Sequence, residues 1–156
     1  MKPEQTDDGD AQPRDGAVRR LCFAAALLFF IGGLNGVLVS AAMTGTLDAN
    51  PDFMLAAHLN ALLGCFWLLG VAWTLPRIRL GDRAVTGLVV LTIVAAWSNW
   101  GVTLVKALLK VQGIAYLGDG ANDVVHTALV ATVVLPTLVA SGLWAWGLRP
   151  SADHNP

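Results

Sequence analysis

The chain of 156 residues is 55% hydrophobic and only 13% charged, with a formal net charge of −1, whereas a typical soluble domain contains roughly 25% charged residues. The charges are confined to short stretches, and no basic patch of the kind that binds nucleic acid is present. These features exclude an ordinary soluble domain and a nucleic-acid-binding protein, and they indicate a membrane protein.

Four apolar runs are separated by short polar stretches, and they occupy residues 21–43, 52–75, 84–110 and 122–147. Each run is long enough to cross a bilayer, because a hydrocarbon core of ~30 Å needs about 20 helical residues. The sequence therefore predicts an all-α fold, a polytopic membrane four-helix bundle formed by residues 19–149. Residues 1–18 are rich in Asp, Pro, Gly and Gln, so we expect a disordered tail there. Residues 150–156 are expected to be a short C-terminal tail.

The first run has an alternative interpretation as a cleaved secretory signal, because Arg19 and Arg20 precede it and small residues follow it. A signal peptide has an apolar region of only ~7–15 residues. This run is longer, and it contains Asn35 between Gly32 and Gly36. A retained membrane helix is therefore the preferred interpretation.

Small residues predict close packing between the first two helices. Gly32 and Gly36 form a small-xxx-small pair in the first helix, and Ala57 and Ala61 form another in the second. In the fourth helix, Pro136 lies mid-span and removes a backbone donor, which predicts a kink.

Basic residues are distributed unequally between the two ends of the predicted bundle. Of the ten Lys and Arg residues, only Lys106 and Lys110 fall at one end, and the other eight fall at the opposite end. Cytoplasmic loops of membrane proteins are enriched in Lys and Arg. We therefore expect both termini and the loop at 76–83 to be cytoplasmic, and the protein to lie in the inner (plasma) membrane.

Polar side chains inside the four runs mark a candidate site, because such groups are costly in lipid and usually face the bundle interior. At 1.5 Å per residue, His58 lies ~10 Å below the outer surface and Asn99 lies ~22 Å above the inner one, which is nearly the same level. Asn35, Thr103 and His126 fall in or near this layer. The sequence therefore predicts a polar site in the outer half of the bundle, to which all four helices contribute.

The surroundings of this layer indicate what it could bind. Trp97 and Trp100 flank Asn99 at a spacing of about one helical turn, and an aromatic wall beside a hydrogen-bonding group suits a flat aromatic ligand. On the second helix, Asn60 is predicted to point nearly opposite to His58 and to serve a helix contact or a different neighbour.

Structural roles remain open for the same residues. His58 or Asn99 could simply form hydrogen bonds between helices, as polar residues in membrane helices often do. His126 and Asp123 could be a pair near water at the start of a helix.

Two segments and the four-helix layout resemble the small membrane family of hydroxylaminobenzene mutases and styrene oxide isomerases; the segments are LAAHLNALLGCFWLL at 55–69 and AAWSNWGVTLVKALL at 95–109. The specific part of the resemblance is a membrane His, matched by His58, and a Trp/Tyr-x-Asn element in the third helix, matched by Trp97 and Asn99. In the isomerases this His is the axial ligand of a ferric haem b, whose iron acts as a Lewis acid on the substrate oxygen. The resemblance therefore implies haem b bound to the protein through His58.

The chain also departs from the family pattern. The family usually has Asn six residues after the His, where this chain has Gly64, and the isomerases have Asp and Tyr where it has Ala95 and Thr103. The run from Asn99 to Thr103 is more similar to the mutases.

The resemblance implies a membrane-bound isomerase that converts an aryl hydroxylamine into an aminophenol without net oxidation or reduction, with a styrene-oxide-type epoxide isomerase as the alternative. The resemblance also implies a homo-oligomer such as a trimer, with His58 as the haem iron ligand. Taken together with the polar layer and its aromatic wall, it leads us to expect a small aromatic substrate and the following site residues: Asn99 and Thr103 in catalysis, and Trp97, Trp100, Asn35 and His126 in substrate binding.

Two non-enzymatic interpretations remain beside it. One is a haem-binding electron-transfer module, in which a second axial ligand such as His126 is needed. The other is a structural membrane subunit without a cofactor.

Overall fold

The computed structural model describes residues 11–150, with side chains from residue 14 onward. It contains five α-helices in this range: α1 Ala11–Met43, α2 Pro51–Thr74, α3 Asp82–Leu109, α4 Gly120–Leu129 and α5 Leu135–Gly147. A 3-10 turn follows α2 at Leu75–Arg77, and a π-helical turn at Val130–Val134 joins α4 to α5.

Four stretches are long and apolar enough to cross a membrane, and they are Arg14–Met43, Pro51–Arg77, Asp82–Leu109 and Gly120–Gly147. The fourth span consists of α4, the π turn and α5. The predicted all-α fold with four membrane-spanning helices is confirmed, and the chain is a multi-pass membrane protein.

The first helix begins earlier than the sequence predicted. It starts at Ala11, so residues 11–18, which were assigned to the tail, are helical. Arg14 reaches the backbone carbonyls of Ile78 and Leu80 at 3.5 and 3.4 Å, and Val18 packs against the core. These tertiary contacts extend the helix beyond its apolar run. Residues 1–10 and 151–156, the rest of the two predicted tails, lie outside the described residues.

Backbone hydrogen bonds show which helix ends meet. The N–H of Arg79 donates to the carbonyl of Gly147 at 2.9 Å, and the N–H of Asn50 donates to the carbonyl of Ala107 at 2.8 Å. With the Arg14 contacts, the Arg79–Gly147 bond places the start of α1, the α2–α3 loop and the end of α5 at one end of the bundle. The Asn50–Ala107 bond joins the start of α2 to the end of α3 at the other end. Lys110 pairs with Asp48 at the other end. Among the described residues, the predicted separation of the basic side chains between the two ends is thus reproduced.

The closest helix contact lies between α1 and α2. A Cβ atom added to Gly32 would lie 2.9 Å from the Cβ of Ala61, which is closer than real side chains approach. Ala57 and Ala61 are fully buried. The predicted packing of small residues is therefore confirmed within one copy of the chain.

A second close contact involves all of α1, α2 and α3. A Cβ atom added to Gly64 would lie 3.0 Å from Leu28 Cδ2 on α1 and 3.3 Å from the Cβ of Ala96 on α3. Gly64 therefore serves helix packing, and its position has little room for a larger side chain.

The irregularity expected at Pro136 takes the form of a widened turn. Proline has no N–H to donate to the carbonyl four residues earlier, and the chain forms the π turn just before it, with the N–H of Leu135 bonded to the carbonyl of Val130. In a π turn each N–H bonds to the carbonyl five residues earlier instead of four, so the wider turn accommodates the proline, which has no N–H.

Gly32→Ala is expected to lower the free energy of unfolding by about 1–3 kcal/mol, because the added methyl group must push α1 and α2 apart. The matched control is Gly33→Ala, since a Cβ atom there meets nothing within 4 Å. Because alanine favours a helix over glycine, the control should leave stability unchanged or raise it by up to about 1 kcal/mol. Unfolding by SDS titration in mixed micelles measures both variants, and equal effects would contradict the assigned α1–α2 contact.

Candidate functional site

His58 lies on the side of α2 that faces α1. Its Nδ1 atom is 2.8 Å from the backbone carbonyl of Gly32, and a Cβ atom at Gly36 would be only 3.5 Å from the ring. The bond to a carbonyl oxygen requires a hydrogen on Nδ1, which leaves a lone pair on Nε2. The ring is half-buried, and the described residues form a hydrogen bond with its Nδ1 atom alone.

Asn60 lies on the opposite side of α2, toward α3. Its amide nitrogen Nδ2 donates to Asn99 Oδ1 at 3.3 Å and to Thr103 Oγ1 at 3.0 Å. The Thr103 hydroxyl donates in turn to the backbone carbonyl of Asn99 at 2.7 Å. These three residues form one polar cluster, called here the amide cluster. The predicted direction of Asn60 away from His58 is confirmed.

Some hydrogen-bond donors and acceptors of the amide cluster have no partner within the cluster. The hydroxyl proton of Thr103 is already used, and Thr103 is buried. Asn60 and Asn99 are each half-buried, and the bonds within the cluster use neither Asn60 Oδ1 nor Asn99 Nδ2. One acceptor and one donor are therefore available for a ligand.

Asn35 and Trp100 meet in a different place, between α1 and α3. Both line a groove of about 340 Å³. The Nδ2 atom of Asn35 donates to the backbone carbonyl of Met54 at 3.2 Å, so this side chain is anchored to α2. Trp97 packs edge-to-face against Trp100, with ring centroids 6.0 Å apart.

His126 belongs to a cluster that joins α4 to the loop before it. Its ring packs edge-to-face against Tyr116, with centroids 4.6 Å apart. The Tyr116 hydroxyl is 3.1 Å from Thr127 Oγ1, and Asp123 accepts bonds from the backbone N–H groups of Leu117 and Gly118. This cluster closes the α3–α4 loop onto the helix start.

The predicted layer of polar residues is therefore divided into separate groups. The amide cluster brings Asn99 and Thr103 together, the groove brings Asn35 and Trp100 together, and His58 contacts backbone of α1. Sequence reasoning left Asn60 out of the site. The sequence feature that could have identified Asn60 is its position two residues after His58. This spacing rotates it by about 200° from His58 and points it toward the polar positions of α3.

Within residues 11–150, no group of three or more His, Cys, Asp or Glu side chains could hold a metal ion. A haem group could be held by a single protein side chain, because the porphyrin itself supplies four of the iron's bonds. His58 fits that requirement, since Gly32 fixes the ring and Nε2 remains available. A hydrogen bond from the other ring nitrogen to a carbonyl is the usual support of a metal-binding His.

Comparison with protein families gives a match for residues 17–149, to the family described as styrene oxide isomerase. The chain belongs to this family. Styrene oxide isomerase family members are isomerases and mutases, so the protein is a membrane-bound isomerase.

Among characterised proteins, the hydroxylaminobenzene mutase HabB of Ectopseudomonas oleovorans is 26% identical over 138 residues, which cover 84% of this chain and 80% of the mutase. No solved structure matches the chain. Gly64, six residues after His58, lies where Leu28 and Ala96 leave little room for a larger side chain.

Proposed function

We propose that the protein is an aryl hydroxylamine mutase, which converts a hydroxylaminobenzene into an aminophenol at a site that includes His58. The observation that carries this proposal is the fixed His58 ring, held at Nδ1 by Gly32 and free at Nε2. Similarity to a hydroxylaminobenzene mutase supports the substrate class.

Haem b is the proposed cofactor, and His58 Nε2 would hold its iron. His58 has large apolar neighbours on α2, with Leu55 one turn before it and Leu62 one turn after it. An apolar porphyrin suits such a surface inside the membrane. When bound, the ferric iron supplies a Lewis acid for the hydroxylamine oxygen, with no net electron transfer.

The proposed rearrangement is balanced within the substrate. The N–O bond breaks and a C–O bond forms on the ring. The ring carbon that receives the oxygen loses a proton, and the nitrogen gains one. No oxidant or reductant is consumed. The protein must therefore orient the ring and exclude bulk water from the electron-poor intermediate.

The amide cluster is suited to orient such a substrate. Asn99 Nδ2 can donate to the substrate heteroatom, and Asn60 Oδ1 can accept from its N–H group. Thr103 holds Asn60 in place, because its own hydroxyl proton is bound to the Asn99 carbonyl. Trp97, which packs edge-to-face against Trp100, supplies the aromatic wall, and His126 is the outermost of the proposed substrate contacts.

Epoxide isomerisation of the styrene oxide type is the second candidate, because the matching family is described by that activity. The positions of its expected polar groups argue for the mutase reaction instead. Ala95 is 1% exposed and lies in the core, and Gly64 is closed by Leu28 and Ala96. Neither position offers a polar group to an epoxide.

A homo-oligomer would bring the two halves of the site together. His58 and Asn60 lie on opposite sides of α2, so the amide cluster of one copy cannot face His58 of that copy. A ring of copies placed head to tail would bring the His58 flank of each copy against the next copy. We infer a cyclic oligomer such as a trimer, with its basic end in the cytoplasm.

His58→Ala tests the cofactor assignment. The variant should lose the haem absorption band. Its rate of phenylhydroxylamine isomerisation should fall by more than the roughly 10–100-fold that is typical when a residue supporting a metal ligand is removed. It should still insert, because removing a polar group favours a membrane helix. His126→Ala is the comparison and should keep the band.

Loss of the haem band in the His126 variant alone would contradict the assignment to His58. A low-spin spectrum that needs both histidines would favour electron transfer. Absence of any haem band after reconstitution of the unmodified protein would remove haem from the proposal.

Mixed assemblies test whether two copies complete one site. His58→Ala and Asn99→Leu copies should each be nearly inactive alone, because each lacks one half of every site. Co-assembled in one nanodisc, they should regain measurable activity, since some interfaces then join an intact His58 to an intact Asn99. No recovery from mixtures that demonstrably co-assemble would place both residues in the same copy.

A further inference from the structure

A groove between α1 and α3 opens laterally toward the lipid. It has a volume of about 340 Å³ and is lined by Ile31, Leu34, Asn35, Val37, Leu38, Trp100 and Leu104. Leu34 and Val37 at its mouth are 55% and 68% exposed. A molecule dissolved in the bilayer can therefore reach this α1–α3 groove without passing through water.

Two polar atoms at the groove lack a hydrogen-bond partner among the residues that the structure describes. They are the acceptor Asn35 Oδ1 and the donor Trp100 Nε1, and both atoms are buried. Asn35 is only 2% exposed, and its bond to the Met54 carbonyl holds the amide in place. A buried polar atom without a partner is unfavourable, so a ligand that satisfies both atoms gains affinity.

One chemical class carries both the donor and the acceptor that these two atoms need. A hydroxyl group on an aromatic ring can accept from Trp100 Nε1 and donate to Asn35 Oδ1, while the ring occupies the apolar walls. Size permits this, because an apolar cavity of about 150 Å³ already holds benzene. A hydrocarbon of the same shape would leave both polar atoms unsatisfied.

The groove is separate from the proposed haem site. Asn35 and Gly36 are neighbours on α1, so their side-chain directions differ by about 100°. The Gly36 direction meets the His58 ring, whereas Asn35 lines the groove next to Trp100 on α3. The α1–α3 groove is therefore bordered by a different face of α1 from the one that meets His58.

We propose that the α1–α3 groove is a second binding site, which takes a small phenol or aromatic amine from the bilayer. Trp100 Nε1 and Asn35 Oδ1 recognise its polar group, and Leu34, Leu38 and Leu104 contact its ring.

The test measures binding of 4-fluorophenol and 4-fluorotoluene by ¹⁹F NMR to the protein in nanodiscs, with protein-free nanodiscs correcting for partition into lipid. The unmodified protein should bind the phenol about tenfold more tightly than the toluene, which corresponds to about 1.4 kcal/mol. Trp100→Phe keeps the aromatic ring and removes the N–H, so it should abolish most of this preference. Trp67→Phe is the matched control outside the groove and should retain it.

Asn35→Ala provides a second measurement, because it removes the acceptor from the other wall. It should also reduce the phenol preference, while toluene binding changes less. Equal binding of phenol and toluene by the unmodified protein would overturn the proposal, as would equal losses in the Trp100 and Trp67 variants. His58→Ala should leave the preference intact, so failure of the haem proposal and failure of this one are distinguishable.

Discussion

The close approach of α1 and α2 at Gly32 is the constraint on which the candidate site depends. Because neither Gly32 nor Ala61 carries a bulky side chain, the two backbones come near enough for the Gly32 carbonyl to meet His58 Nδ1 at 2.8 Å. A larger residue at position 32 would move this carbonyl away. The same packing therefore stabilises the helix pair and sets the orientation of the imidazole ring.

A membrane interior makes each polar group on these helices informative, because lipid offers no hydrogen bonds. These polar groups point in three directions. His58 faces α1, and the amide cluster joins α2 to α3. Asn35 and Trp100 border the α1–α3 groove. Each group keeps at least one donor or acceptor available.

Much of the fold could be predicted from the sequence, because hydropathy and small residues are local patterns. The four spans and the contact of Gly32 with Ala61 follow from them. Depth along a helix could also be counted, but the partner of each side chain depends on how neighbouring helices are rotated and ordered. His58 and Asn99 were therefore placed at one level without revealing that they face different helices. The early start of α1 depends on the contacts of Arg14 with a distant loop, which no local pattern contains.

The tautomer of His58 tests the central claim most directly, because the proposed ligand role needs a hydrogen on Nδ1 and a lone pair on Nε2. The measurement is ¹⁵N NMR of haem-free protein labelled at histidine, in nanodiscs, with the His58→Ala spectrum assigning the signal. The account predicts a neutral ring protonated at Nδ1, hydrogen-bonded to the Gly32 carbonyl. A ring protonated at Nε2 instead would contradict it.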